Sequence, residues 1–126
     1  MKTLQKKVHH QLAQFHGTEQ FFKIPLIKTR FTQGIKYLAE STDCYWLVTD
    51  ASVVAKSLLN RSYFITVDFR KMEVKEKQSK GYDALIVYSD GNGNVLERQY
   101  YHATDFPLDS LRLFFVQNTL MLPSEY

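Results

Sequence analysis

Ser89-Asp90-Gly91-Asn92-Gly93-Asn94-Val95 is the stretch that decides the fold. It sets an Asp-Gly and an Asn-Gly dipeptide between two apolar-rich segments, and both dipeptides tolerate the positive φ angles of a tight, correctly twisted hairpin. On either side, Ala84–Tyr88 and Val95–Ala103 therefore read as antiparallel strands. Upstream, Tyr63, Ile65, Val67 and Phe69 alternate with Phe64, Thr66, Asp68 and Arg70, the period of two that a half-buried strand requires. This strand is expected to run past Met72 and Val74 until the charged run Lys75–Lys80 turns it over. Tyr63 to Ala103 is then one continuous three-stranded antiparallel meander.

The flanks read as helices. Leu4, Val8, Leu12 and Phe15 form one apolar stripe, with Thr3 to cap the start and Gly17 to end it in a left-handed conformation. Thr18–Lys23 begins another turn, but Pro25 pushes Ile24 toward extended geometry, so Ile24–Arg30 is expected to be a connector. Thr32 caps a short second helix carrying Ile35, Leu38 and Ala39, in which Gly34 costs about 1 kcal/mol of intrinsic helix stability relative to Ala. A third helix starts near Thr42 or Asp43, buries Leu47, Ala51, Val54 and Leu58, and ends at Asn60. Beyond the meander, Thr104-Asp105-Phe106-Pro107 reads as a helix start, with Leu108, Leu111 and Phe115 as the buried stripe and Asn118 as the terminator. Thr119–Leu122 is a short last strand. The expectation is one α+β domain over residues 1–126, made of three N-terminal helices, a three-stranded antiparallel meander, a C-terminal helix and a short strand.

Composition narrows the class of protein. A chain of 126 residues that is 44% apolar and 14% aromatic suits one folded domain and argues against intrinsic disorder. Cys44 is the single cysteine and cannot form an internal disulfide. No stretch has the apolar length of a signal sequence or a membrane span, so a cytoplasmic protein is expected. Net charge is +3, yet residues 1–36 carry seven Lys and Arg against Glu19 alone. Such an imbalance suits phosphates or an acidic protein partner.

No catalytic motif stands out. Asp90, Asn92 and Asn94 alternate as the first ligands of a calcium loop do, but Val95 stands where that loop needs glycine and Tyr101 where it needs a bidentate carboxylate. Cys44 has no histidine placed beside it by spacing, and the adjacent His9 and His10 diverge by about 100° on a helix. Asp105 and Asp109, four residues apart, suit a helix start better than acid/base work. No catalytic residue, metal ligand or cofactor is assigned. The partner-binding candidates are Lys6 and Lys7 on the first helix, with Arg70, Lys71, Lys75, Lys77 and Arg98 on a hairpin whose tyrosines could stack on bases. Tyr45, Trp46 and Asp105 are the candidate pocket.

Phe15-His16-Gly17-Thr18-Glu19-Gln20, Gly34-Ile35-Lys36-Tyr37-Leu38-Ala39-Glu40, Tyr45-Trp46-Leu47, Asp90-Gly91-Asn92-Gly93-Asn94, Thr104-Asp105-Phe106-Pro107-Leu108 and Leu122-Pro123-Ser124-Glu125-Tyr126 together resemble an uncharacterised family of small bacterial proteins, a domain of unknown function met on plasmids and other mobile elements. The resemblance spans nearly the whole chain and implies no reaction. Cys44 stands outside its motifs. Those motifs look like caps, turns and aromatic fold determinants, with Trp46, Asp105 and the end Glu125-Tyr126, expected to be exposed, as the positions with more than a structural role. The leading expectation is a non-enzymatic module that binds a protein partner, as an accessory or anti-defence protein of a mobile element. Two alternatives stand beside it: a nucleic-acid-binding protein using the basic hairpin and first helix, and a small ligand-binding protein or enzyme. An unpaired outer strand leaves room for a homodimer.

Overall fold

The computed structural model describes residues 8, 11, 12, 21–24 and 28–126. Most of the first expected helix, including Lys6, Lys7, His9, His10 and His16, lies outside the described residues, although Val8, Gln11 and Leu12 are helical and Val8 and Leu12 are buried. The architecture is α+β: three helices and one mixed seven-stranded sheet among the described residues. The strands are β1 (Phe21–Ile24), β2 (Thr29–Thr32), β3 (Phe64–Lys71), β4 (Ala84–Ser89), β5 (Val95–Tyr101), β6 (Ser110–Val116) and β7 (Thr119–Met121). The helices are α1 (Gln33–Thr42), α2 (Tyr45–Ser57) and α3 (Val74–Lys80), and a 3₁₀ turn follows at Pro123–Glu125. Spatial order is β1-β2-β7-β6-β3-β4-β5, with every pair antiparallel except β2 and β7.

β3, β4 and β5 pair in sequence order, but they belong to a mixed seven-stranded sheet, and α3 separates β3 from β4 in the chain. The expected layout of N-terminal helices followed by one continuous three-stranded meander is thereby corrected. The registers of these strands still follow the alternation in the sequence. Ile65, Val67 and Phe69 are buried while Phe64, Thr66, Asp68 and Arg70 face the opposite side. At the β4–β5 turn, Asp90 is the organiser: Oδ1 accepts from the amides of Asn92 (2.8 Å) and Asn94 (2.9 Å), and Oδ2 accepts from Asn94 Nδ2 (2.9 Å). Gly93 supplies the positive φ of 84° that closes the loop. The alternate Asp and Asn residues thus bond one another in a turn.

Four further expectations are corrected. The segment read as a C-terminal helix is strand β6, paired along its length with β3. Leu111 and Phe115 are four apart and share a face in a helix and in a strand alike; Leu113 decides between them, and it is 1% exposed where a helix would turn it outward. Thr104 and Asp105 consequently cap no helix, and the Thr104 hydroxyl accepts instead from the Phe106 amide (3.1 Å). The connector and the helical turn before it hold strands β1 and β2, whose Phe21-Phe22-Lys23-Ile24 and Thr29-Arg30-Phe31-Thr32 are rich in β-branched and aromatic residues. The strand expected to pass Met72 and Val74 stops at Lys71, and the charged run forms α3, so no basic ribbon protrudes. Finally, α2 begins at Cys44 without a side-chain cap, because Asp43 at φ 52° closes α1 and Thr42 donates back to the Leu38 carbonyl (2.7 Å).

One face of the sheet carries the core. Ile65, Val67, Phe69, Ile86, Tyr88, Leu113, Phe115 and Leu120 meet Ile35, Leu38, Ala39, Leu47, Val48, Ala51 and Ala55 from α1 and α2. Burying side chains of this size contributes about 1.5–3 kcal/mol each, which offsets the modest helix propensity of α1. The chain end locks this layer in place. The Glu125 carboxylate is buried, with Oε1 accepting from Thr32 Oγ1 (2.6 Å) and the Leu122 amide (3.0 Å) and Oε2 accepting from the Gly34 amide (3.1 Å). It caps the first turn of α1 from 91 residues away, which also corrects the expectation that Glu125 is exposed.

Candidate functional site

No described helix is long and apolar enough to cross a membrane. Two surfaces gather chemistry, one on each side of the sheet.

On the side away from α1 and α2, strand parity sets Phe21 and Lys23, Arg30, Thr119 and Met121, Phe114 and Arg112, Phe64, Asp68 and Arg70, Val87, and Arg98 and Tyr100 on a common face. Helices α1 and α2 pack on the opposite face, and α3 reaches this one at Arg70 through Glu76. Its centre is an aromatic cluster in which Tyr126, 70% exposed, stands edge-on to Phe64 (5.3 Å) and Phe114 (5.7 Å). Beside the cluster lies a groove of about 640 Å³ walled by Phe21, Arg30, Tyr63, Met121, Asn118 and Tyr126. The Arg30 guanidinium sits 4.7 Å from the centre of the Phe21 ring and makes no ion pair with a described residue.

Charge on this face is one-sided. Lys23, Arg30, Arg70, Arg98 and Arg112 are there, against Asp68. Arg112 grips Asp68 through Nε–Oδ1 (2.7 Å) and a second bond (3.2 Å), a geometry that holds the guanidinium above its ordinary range. Arg70 reaches Glu76 (3.0 Å). Lys23 and Arg30 are direct cross-strand partners, a like-charge pairing that costs stability and that an anionic ligand would relieve. Behind them Lys56 Nζ contacts Asn118 Oδ1 (3.2 Å), so a third cation stands at the same end of the sheet.

The basic residues singled out in the sequence are dispersed. Arg70 and Arg98 lie on the open face, Lys75 is exposed on α3, Lys77 is tied to Asp83 (2.6 Å), and Lys71 ends β3 on the opposite parity. Sequence reasoning did not find Arg30, Phe21 or Met121. The signal that would have found them is the β1–β2–β7 pairing, which exists only in three dimensions.

The second surface lies on the helix side of β5. Trp46 and Asp105 share a pocket of about 460 Å³ with Tyr101, Ala103 and Thr104. The Trp46 and Tyr101 rings meet edge to face at 5.4 Å. The Tyr101 hydroxyl donates to Asp50 Oδ2 (3.0 Å), and burial together with that carboxylate pushes its phenol well above the ordinary range. Tyr45 is not a wall of this pocket, since its ring faces Phe31 at 6.3 Å and its hydroxyl reaches Glu40.

Cys44 is 0% exposed, and burial raises its thiol to about 11 despite the Thr42 hydroxyl bonded to it at 2.8 Å. A thiol held that high stays protonated at neutral pH and packs as a small apolar group. Among the described residues no three His, Cys, Asp or Glu side chains group as metal ligands.

The described residues form a two-layer α+β fold whose outer sheet face is basic and aromatic. A family model described as a family of unknown function (DUF6876) matches residues 6–126, and the chain belongs to that family. Nothing among the curated proteins or the solved structures matches it.

Proposed function

We propose that this domain is a non-enzymatic recognition module of bacterial mobile elements, acting in the cytoplasm by docking an acidic protein segment on the outer face of its sheet. The observation that carries this reading is the groove between Arg30 and Tyr126. A guanidinium without an ion-pair partner among the described residues stands there beside exposed rings, on the face opposite α1 and α2. Arginine and aromatic side chains of this kind anchor interfaces, because they bring large contact area and directional bonding at low entropic cost. A photo-crosslinking residue placed at Tyr63 or Tyr126 in the native host tests it, with Val53 on the outside of α2 as the control position. The expected result is a protein adduct from the groove positions alone. Adducts from neither groove position, or equal adducts from Val53, would remove the reading.

A second reading is favoured by the one-sided charge: a single-stranded nucleic acid lying along the same face, with phosphates on Lys23, Arg30 and Arg98 and bases on the tyrosines. It requires affinity that falls steeply with salt. Absence of binding to labelled oligonucleotides at about 50 mM salt eliminates it.

A further inference from the structure

The pocket beside the start of α2 is walled by Trp46, Tyr101, Ala103, Thr104 and Asp105. Two of these residues are aromatic, Asp105 is the one acid, and no described lysine or arginine lines the pocket. Asp105 has no hydrogen-bond or ion-pair partner among the described residues, unlike Asp50, Asp68, Asp83 and Asp90. The electron-rich faces of indole and phenol attract cations, and a phenol that donates its proton to a carboxylate, as Tyr101 does to Asp50, is richer still. A neutral or anionic guest would leave the Asp105 charge unanswered, and a metal ion would find a single carboxylate where it needs several charged donors. A soft, weakly hydrated organic cation satisfies both kinds of wall at once.

We propose that the Trp46–Tyr101–Asp105 pocket is a binding site for an alkylammonium group. The cation seats against the two rings and its charge is answered by Asp105. At about 460 Å³ the pocket has room for a quaternary ammonium head or the end of a lysine side chain. The site lies on the opposite side of the sheet from the groove at Arg30, so it stands independently of any partner docked there.

Trp46 is the only tryptophan in the chain, so its fluorescence reports on this pocket without labelling. The whole protein is titrated at constant ionic strength with tetramethylammonium chloride, with choline, with the neutral choline isostere 3,3-dimethylbutan-1-ol, and with Nα-acetyl-lysine amide. The expected result is a saturable change with the quaternary ions at low-millimolar concentration, and a response at least about tenfold weaker for the neutral isostere. Acetyl-lysine amide separates the sources: half-saturation equal to that of choline assigns the site to a lysine side chain of a partner, and half-saturation tenfold or more higher assigns it to a free quaternary amine. Asp105→Asn, at an exposed position without partners among the described residues, leaves the circular dichroism unchanged and raises half-saturation about fivefold. No saturable signal up to about 100 mM, an equal response to the neutral isostere, or an unchanged half-saturation in Asp105→Asn overturns the proposal.

Discussion

Replacing Gly34 with alanine sets two physical rules against each other. By helix propensity the change gains up to about 1 kcal/mol, since Gly34 lies in α1. The structure reverses the sign. A Cβ built on Gly34 would stand 2.6 Å from Glu125 Oε1 and 2.6 Å from Leu122 Cδ1. Ordinary contact needs about 3.5 Å, so the carboxylate must retreat by nearly 1 Å. Glu125 is a flexible side chain, but its oxygens are held by Thr32, Leu122 and Gly34 at 2.6, 3.0 and 3.1 Å, and a retreat of that size breaks at least one of these bonds. Each bond to a buried carboxylate contributes about 1.5–3 kcal/mol, so one lost bond, less the propensity gain, leaves a net loss of about 0.5–2 kcal/mol. Urea unfolding followed by circular dichroism would show this as a midpoint lower by about 1 M with an unchanged slope. The double variant closes the cycle: once Glu125→Ala has removed the carboxylate, Gly34→Ala should cost less than about 1 kcal/mol. A Gly34→Ala protein as stable as the parent, or one equally destabilised in both backgrounds, would refute the reasoning.

Further outcomes follow from other parts of the molecule. Gln117 and Asn118 form the two-residue β6–β7 turn with φ 51° and 63°, so Gln117→Gly should raise stability by about 0.5–1 kcal/mol in urea unfolding. Leu113→Ala should cost about 2–4 kcal/mol by the same assay, whereas a helical segment with Leu113 outward would lose under about 0.5 kcal/mol. Cys44 should resist a thiol reagent at pH 8 in the native protein and react fully in denaturant, because burial raises it to about 11. Asp90 is held below its ordinary range by the Asn94 side chain, and Asp83 by Lys77; their contribution is therefore present above the unfolded value of about 4 and lost as pH falls below it toward the folded values. The stability gap between the parent and Asp90→Ala should accordingly be constant from pH 7 to 5 and shrink toward pH 3 in urea titrations.

Local chemistry was legible wherever a segment had one interpretation. Tyr63–Phe69 alternates without ambiguity, the Asp90–Asn94 turn contains its own hydrogen-bond partners, and Thr32 caps α1 as its hydroxyl suggests. The misreadings come from degenerate spacing and from long-range pairing. Leu111 and Phe115 satisfy both periods, so the choice rested on Leu113 and on β3 lying beside the segment. Pro25 marks a break, yet the strands around it exist because β7 returns to pair with β2. The sites divide in the same way. Trp46 and Asp105 were nominated from the chain and share a pocket, while Tyr101, its third wall, reaches them only because β5 pairs with β4 and bonds to Asp50 on α2. Arg30 gained interest only when the register set it on the open face beside Tyr126.

The parallel contact of β2 with β7 bears on how a ribosome can deliver this protein. Arg30 and Phe31 lie beside Thr119 and Leu120, so β2 must wait for a strand translated much later in the chain. Until then the nascent chain holds β1 and β2 as an orphan hairpin, and a two-stranded piece is at best marginally stable in water. That half of the sheet closes only once β7 is available, and during the wait Phe22 and Phe31 are apolar surfaces open to a chaperone.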